Sequence, residues 1–273
     1  MMKTATNSHA DPNTKTILII IDGLANEIAE KAMGSIHSWI EAGIAKHQVI
    51  ECALPSASRP LYETILTGKT PYESGITVNT VNRLSNERSL FHDVSDAGLT
   101  TAAAAYHWFS ELYNQSPYDV WTHRIQNDKN KPIQHGIFYH QDHYPDMAVF
   151  QDAEYLRKTY DPDFLLIHPM NVDDTGHQYG VYSDEYLCQA RQVDQVIGHI
   201  VPAWIAAGYQ ILITSDHGMN NDKGASHGGM AAIERLVPLY VIGERILDIV
   251  PCQGVKQTEI IAYLQKVMQI TGG

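Results

Sequence analysis

The sequence predicts an α/β protein with a doubly wound, mostly parallel sheet flanked by helices. Two observations predict it. Apolar runs rich in β-branched residues recur along the chain, each as long as one buried strand. Helical stretches with one apolar stripe lie between several of them, and strands alternating with helices build parallel sheets.

The first run, Thr16-Ile-Leu-Ile-Ile-Ile-Asp22-Gly23, is unbroken and ends in an acid and a glycine. Residues 48–54, 100–106, 163–168, 209–214 and 237–242 read as further strands. Pro55-Ser-Ala-Ser58-Arg59-Pro60 leads into a helix that stops at Thr67-Gly68. Residues 183–207 place Val193, Ile197, Ile200 and Val201 on one helical stripe, with Ser183 as N-cap before Asp184 and Glu185. Residues 258–268 read as a closing helix with Ile260, Ile261, Leu264 and Val267 on one side. From 107 to 150 the chain is crowded with Tyr, Trp, His, Asn and Pro and shows no clean period, so a small inserted lid is expected there. The expected organisation is a polar tail over 1–15 followed by one catalytic domain over 16–273.

Composition narrows the function. The chain has 273 residues, 44% of them hydrophobic, which excludes wholesale disorder. Nineteen Lys and Arg against 31 Asp and Glu give a net charge of −12, unsuited to general phosphate-backbone binding. A small anionic substrate stays open if bound metal supplies local positive charge. The three cysteines form no close pair and no CxxC, which suits a reducing compartment. No run approaches the roughly 20 apolar residues of a membrane span, and residues 1–16 lack the apolar centre of a secretory signal. The expectation is a cytoplasmic protein without membrane partners, with self-association left open.

Ligands in open α/β sheets bind beyond the carboxyl ends of strands, and the residues there are informative. Asp22, Ser58, Asp173, His177, Asp216, His217 and His227 follow successive strands and would converge on one rim. Carboxylates, imidazoles and a hydroxyl form a nitrogen and oxygen set suited to two zinc or two manganese ions. Paired metals can clamp an in-line displacement at phosphorus. Taken singly, each residue has a plain alternative: a helix N-cap for Asp22, Ser58 or Asp216, and a loop hydrogen bond for Asp173 and each histidine.

The pattern Asp22, Pro55-Ser-Ala-Ser58-Arg-Pro60, Asp173-x-x-Gly176-His177, Thr214-Ser-Asp216-His217-Gly218-Met219 and His227-Gly228-Gly229 closely resembles the alkaline phosphatase superfamily. Among its branches the chain looks most like the nucleotide pyrophosphatase/phosphodiesterase group, over about residues 16–245. The resemblance implies an alkaline-phosphatase-like fold and a serine nucleophile, Ser58, that forms a covalent phospho-enzyme. It implies one metal on Asp22, Ser58, Asp216 and His217, a second on Asp173, His177 and His227, and Asn79 as donor to a phosphoryl oxygen. A helix starting near Ser58 would turn free N–H groups toward an anion, and a carboxamide stabilises a non-bridging oxygen without adding charge. For Asn79 a plain turn role is the alternative.

Arg59 departs from the family, which has an aromatic residue after the nucleophile to help stack a nucleobase. An arginine there could bind a carboxylate or second phosphate of the substrate, or pair with Glu63 one turn on. Tyr106, Trp108, Phe109, Tyr113 and Trp121 could line a substrate slot or pack the lid onto the sheet. The expected function is a two-metal phosphohydrolase, zinc- or manganese-dependent, cleaving a phosphodiester, pyrophosphate or phosphonate bond. A phosphomonoesterase and a non-catalytic metal-binding relative are the alternatives; the position of Pro55 before Ser58 disfavours a sulfatase.

Overall fold

The computed structural model describes residues 14–221, 224 and 226–272. Eight strands form one sheet: β1 (Thr16–Ile20), β2 (Ala45–Glu51), β3 (Thr101–Tyr106), β4 (Ile125–Asn127), β5 (His135–Tyr139), β6 (Phe164–Ile167), β7 (Gln210–Thr214) and β8 (Leu236–Ile242). Their order is β2-β8-β7-β1-β6-β3-β5-β4. The five central strands, β7 to β5, run parallel, whereas β8, β2 and β4 join by antiparallel pairing.

The unbroken apolar runs follow from burial on both faces. Ile17 and Ile19 of β1 point to one core layer, and Leu18 and Ile20 to the other. The first layer is covered by α1 (Asn26–Ala32), α2 (Gly34–Glu41), α7 (Asp146–Tyr160) and α9 (Asp184–Ala206). The second is covered by α3 (Ser58–Thr67), α5 (Leu90–Asp96), α6 (His107–Tyr113), α11 (Glu244–Ile249) and α12 (Ile260–Met268). Shorter helices α4 (Pro71–Ser74) and α10 (Ala232–Arg235), with α8 (Asn171–Tyr179), complete the α-helices among the described residues, and a 3-10 turn (Gln257–Glu259) leads into α12. Ser183 caps α9 as expected, its side chain accepting the Tyr186 N–H at 3.1 Å.

Two expectations are corrected. The strand read over 48–54 lies at 45–51, because its antiparallel register with β8 runs from Ala45↔Ile242 to Glu51↔Leu236. The stretch 107–150 is not simply a lid: it contributes α6, edge strand β4 and the fully buried β5, which pairs in parallel with β3. Of the aromatic residues considered for a slot, Tyr106, Phe109 and Tyr113 are buried in the core and Trp108 packs against it, whereas Trp121 is almost fully exposed. The polar tail falls almost wholly outside the described residues.

Candidate active site

Asp22 follows β1, Asp173 lies on α8 after β6, and Asp216 and His217 follow β7, so the parallel register aligns three strand ends at one place. α3 brings Ser58 to the same point from the other layer. The turn after β1 demands Gly23: it has φ of 72°, and a Cβ there would lie 2.8 Å from the Asp173 backbone.

Ser58 is buried, and its Oγ lies 3.0 Å from His217 Nε2. It does not cap α3; Ala57 holds the N-cap position. His217 Nδ1 lies 2.8 Å from the Gly218 carbonyl oxygen, which only accepts, so Nδ1 carries the proton and Nε2 its lone pair. His227 is held the same way by the Ser56 carbonyl at 2.8 Å. The two imidazoles stack with centroids 3.6 Å apart.

Around them the carboxylates are only half satisfied. Asp22 Oδ1, Asp173 Oδ1 and Asp216 Oδ2 are buried without a hydrogen-bond partner. Asp22 Oδ1 lies 3.5 Å and Asp216 Oδ2 3.2 Å from His217 Nε2. Asp173 Oδ1 is 3.8 Å from His227 Nε2, and its Oδ2 is 3.3 Å from His177 Nε2. Ligand atoms of Asp22, Asp216 and His217 lie within 4.8 Å of one another, as do those of Asp173, His217 and His227. His217 therefore reaches both groups, whereas the resemblance assigned it to one.

The electrostatics match a cation site. Burial, with Asp173 nearby, holds Asp22 well above the usual carboxylate range; burial, Asp22 and Asp173 do the same to Asp216. Burial keeps His217 neutral, well below the usual histidine range. Clustered buried carboxylates facing unprotonated imidazole nitrogens are strongly unfavourable until positive charge offsets them. The donor types and orphaned oxygens thus fit divalent metal ions.

A family model for type I phosphodiesterase / nucleotide pyrophosphatase matches residues 16–238. The chain belongs to this family. Family membership agrees with the alkaline phosphatase resemblance drawn from the motifs. The chain is 22% identical over 267 residues to ectonucleotide pyrophosphatase/phosphodiesterase 2 of Saccharomyces cerevisiae, covering 85% of this chain and 53% of that protein. It is 25% identical over 118 residues to GPI ethanolamine phosphate transferase 2 of Candida glabrata, covering 43% of this chain and 14% of that protein. The chain thus spans about half or less of the length of these relatives. Its fold is similar to that of murine ectonucleotide pyrophosphatase/phosphodiesterase 5, with TM-score 0.72, 14% identity and coverage of 94% and 95% of the two chains. A phosphonoacetate hydrolase from Sinorhizobium meliloti in complex with phosphonoformate is also similar, with TM-score 0.54, 18% identity and coverage of 76% and 57%.

In this phosphodiesterase-family chain, Asn79 sits beside the turn that carries Ser58: its Oδ1 accepts the Arg59 N–H at 3.0 Å. That bond, and the absence of an N–H on Pro60, reduce the anion-facing donors expected at the start of α3 to the N–H of Ser58. Arg59 itself corrects the expectation of a substrate contact. Its guanidinium is buried, paired neither with solvent nor with Glu63 but with Glu111 at 2.6 Å. Glu63 instead accepts hydrogen bonds from Ser85 and Tyr113.

The structure adds residues that strand ends alone did not reveal. Tyr62 and His168 Nε2 both donate to Asp22 Oδ2, the latter at 3.2 Å, which leaves Oδ1 facing the ligand cluster. Burial pushes His168 down to about 3, so it acts as a neutral donor. Gln257 Nε2 donates to the Asp216 carbonyl at 2.8 Å. Tyr62 had a usable signal, being four residues after Ser58 and thus on the same helix face; Gln257 had none.

Proposed function

We propose that this chain is a metal-dependent phosphohydrolase that cleaves a phosphodiester, pyrophosphate or phosphonate bond through a covalent phospho-serine. The supporting observation is a buried Ser58 hydroxyl 3.0 Å from His217 Nε2, within a ring of three partnerless carboxylate oxygens. Asp22, Ser58, Asp216 and His217 would hold one divalent ion; Asp173, His177 and His227 the other, with zinc or manganese suited to these donors. Such ions supply Lewis-acid polarisation of the phosphoryl group and lower the pKa of a bound hydroxyl.

The chain's own residues do the rest. Ser58 Oγ bonds to phosphorus as the bond to the leaving group breaks, and the Ser58 proton ends on the departing oxygen or carbon. Water then attacks phosphorus; its oxygen stays with the released phosphoryl or phosphonyl product and one of its protons restores the Ser58 hydroxyl. The backbone carbonyls on His217 and His227 hold both rings with Nε2 unprotonated. Asn79 would stabilise a phosphoryl oxygen through its carboxamide N–H, a role supported by its contact with the residue next to Ser58. A neutral donor there, with Arg59 engaged elsewhere, favours a diester over a dianionic monoester. The murine relative in complex with AMP and the hydrolase in complex with phosphonoformate support a small phosphate- or phosphonate-containing substrate.

Among the described residues no helix is long and apolar enough to cross a membrane, and Cys52, Cys188 and Cys252 are free thiols. Hydrolysis of bis(p-nitrophenyl) phosphate with added zinc or manganese tests the reading. Wild type should turn over and Ser58→Ala should lose at least about 1000-fold; full turnover by the variant would remove Ser58 as nucleophile.

A further inference from the structure

We infer that Arg59 is a positioning residue that sets the phosphoryl-oxygen donor Asn79 from two sides, rather than a substrate ligand. The inference rests on the phosphohydrolase reading of the site and concerns the residue that most sets this chain apart from its family pattern. Arg59 grips the Asn79 loop twice. Its backbone N–H donates to Asn79 Oδ1 at 3.0 Å, and its Nη1 donates to the Val81 carbonyl two residues on at 3.2 Å. An N–H can face only the oxygen of a carboxamide, so this contact fixes which end of Asn79 is Oδ1 and turns the Nδ2 donors the other way.

The loop is pinned on either side of Asn79 by buried Ile76 and by Val81 packed on the core, and beyond it Ser116 Oγ donates to Asn82 Oδ1 at 2.5 Å. Asn79 lies between exposed Val78 and Thr80 in a stretch with no helix or strand from Gly75 to Arg88. The turn is closed by Val81 N–H to the Val78 carbonyl at 3.1 Å, and farther out Arg83 Nη2 donates to the Ser74 carbonyl at 3.0 Å.

The other side of Arg59 is anchored in α6. Glu111 Oε2 accepts from Nη2 at 2.6 Å, Trp108 stacks over the guanidinium at 4.5 Å, and the Arg59 and Glu111 side chains are only 3% and 4% exposed. Glu111 Oε1 also accepts the Tyr118 N–H at 3.0 Å, tying in the loop after α6. The charge of this covered guanidinium is neutralised by Glu111, only its buried Nε–H lacks a partner, and recruiting it to a substrate would strand Glu111 as a buried charge. A buried ion pair adds little net stability compared with an apolar pair of similar size. Its value here is geometric: one residue joins the nucleophile turn, the oxyanion loop and α6.

The test uses Arg59→Met/Glu111→Gln, which removes both charges while retaining an acceptor for the Tyr118 N–H. Hydrogen exchange of the wild-type and variant proteins is followed by mass spectrometry, with steady-state kinetics on bis(p-nitrophenyl) phosphate. Exchange should rise over 75–84 while that of α9 stays unchanged. kcat should fall about 10- to 100-fold with KM within about 3-fold, as for a misplaced donor. In an Asn79→Ala background the same pair of changes should cost less than about 3-fold, because Arg59 acts through Asn79. Arg59→Lys, which keeps the charge without the planar fork, should recover thermal stability but not kcat. Unchanged exchange over 75–84, a raised KM with kcat preserved, or an additive loss in the Asn79→Ala background would each overturn the inference. The exchange measurement needs no turnover, so a wild type that hydrolyses no diester would refute the proposed function while the positioning role is still judged by exchange.

Discussion

Asp146, at the first turn of α7, accepts the Met170 and Asn171 N–H groups through Oδ1, each at 3.1 Å, and the Gln189 side chain through Oδ2 at 3.0 Å. It thereby satisfies the start of α8, the helix that carries Asp173 and His177. Burial raises this carboxyl from 3.8 to about 6, more than those hydrogen bonds lower it. Because the folded value exceeds the unfolded one, the contribution to stability is complete below about pH 4 and is lost as pH rises through about 6. The difference corresponds to about 3 kcal/mol. Asp146→Asn keeps an acceptor for the backbone N–H groups but cannot ionise. Urea unfolding of the metal-free proteins at pH 4 and pH 7 measures the effect, since other groups titrate alike in both. The variant should gain about 2 to 2.5 kcal/mol on wild type between pH 4 and pH 7, since part of the full difference is already lost at pH 4. An equal difference at both pH values would refute the assignment of an unfavourable buried charge to Asp146.

Tyr62→Phe removes one of the two donors on Asp22 Oδ2 without changing the packed shape of the ring. Metal affinity should fall about 10- to 100-fold, measured by competition with a chromophoric chelator; an unchanged affinity would refute the orienting role. Metal uptake should weaken in acid, because binding must displace protons from Asp22 and Asp216, both held above their ordinary range. Calorimetric titration in buffers of different ionisation enthalpy reads those protons directly, and zero release at pH 6 would contradict the charge state deduced here.

The central strands could be read from sequence because burial on both faces leaves an unbroken apolar signature, as in β1 and β6. β5 escaped because His135, Gly136 and Tyr139 interrupt its run, although pairing with β3 and the layers above and below bury it completely. The metal-ligating candidates stood out because each follows a strand, and parallel strands deliver their ends to one rim. What sequence could not specify was which partner a long side chain selects. Arg59 has Glu63 one turn away on its own helix, yet Glu111 reaches it from α6, a helix 52 positions further along the chain at that contact. His168 was read as the last residue of an apolar strand, and only the approach of β1 beside β6 shows it bonded to Asp22.

The account stands most directly on the number of metal ions the folded chain retains. Elemental analysis after loading with zinc and removal of excess should find two equivalents in wild type and one in Asp173→Ala, with the variant still folded. One equivalent or none in wild type, or the same count in both proteins, would contradict a two-metal site built from these strand ends.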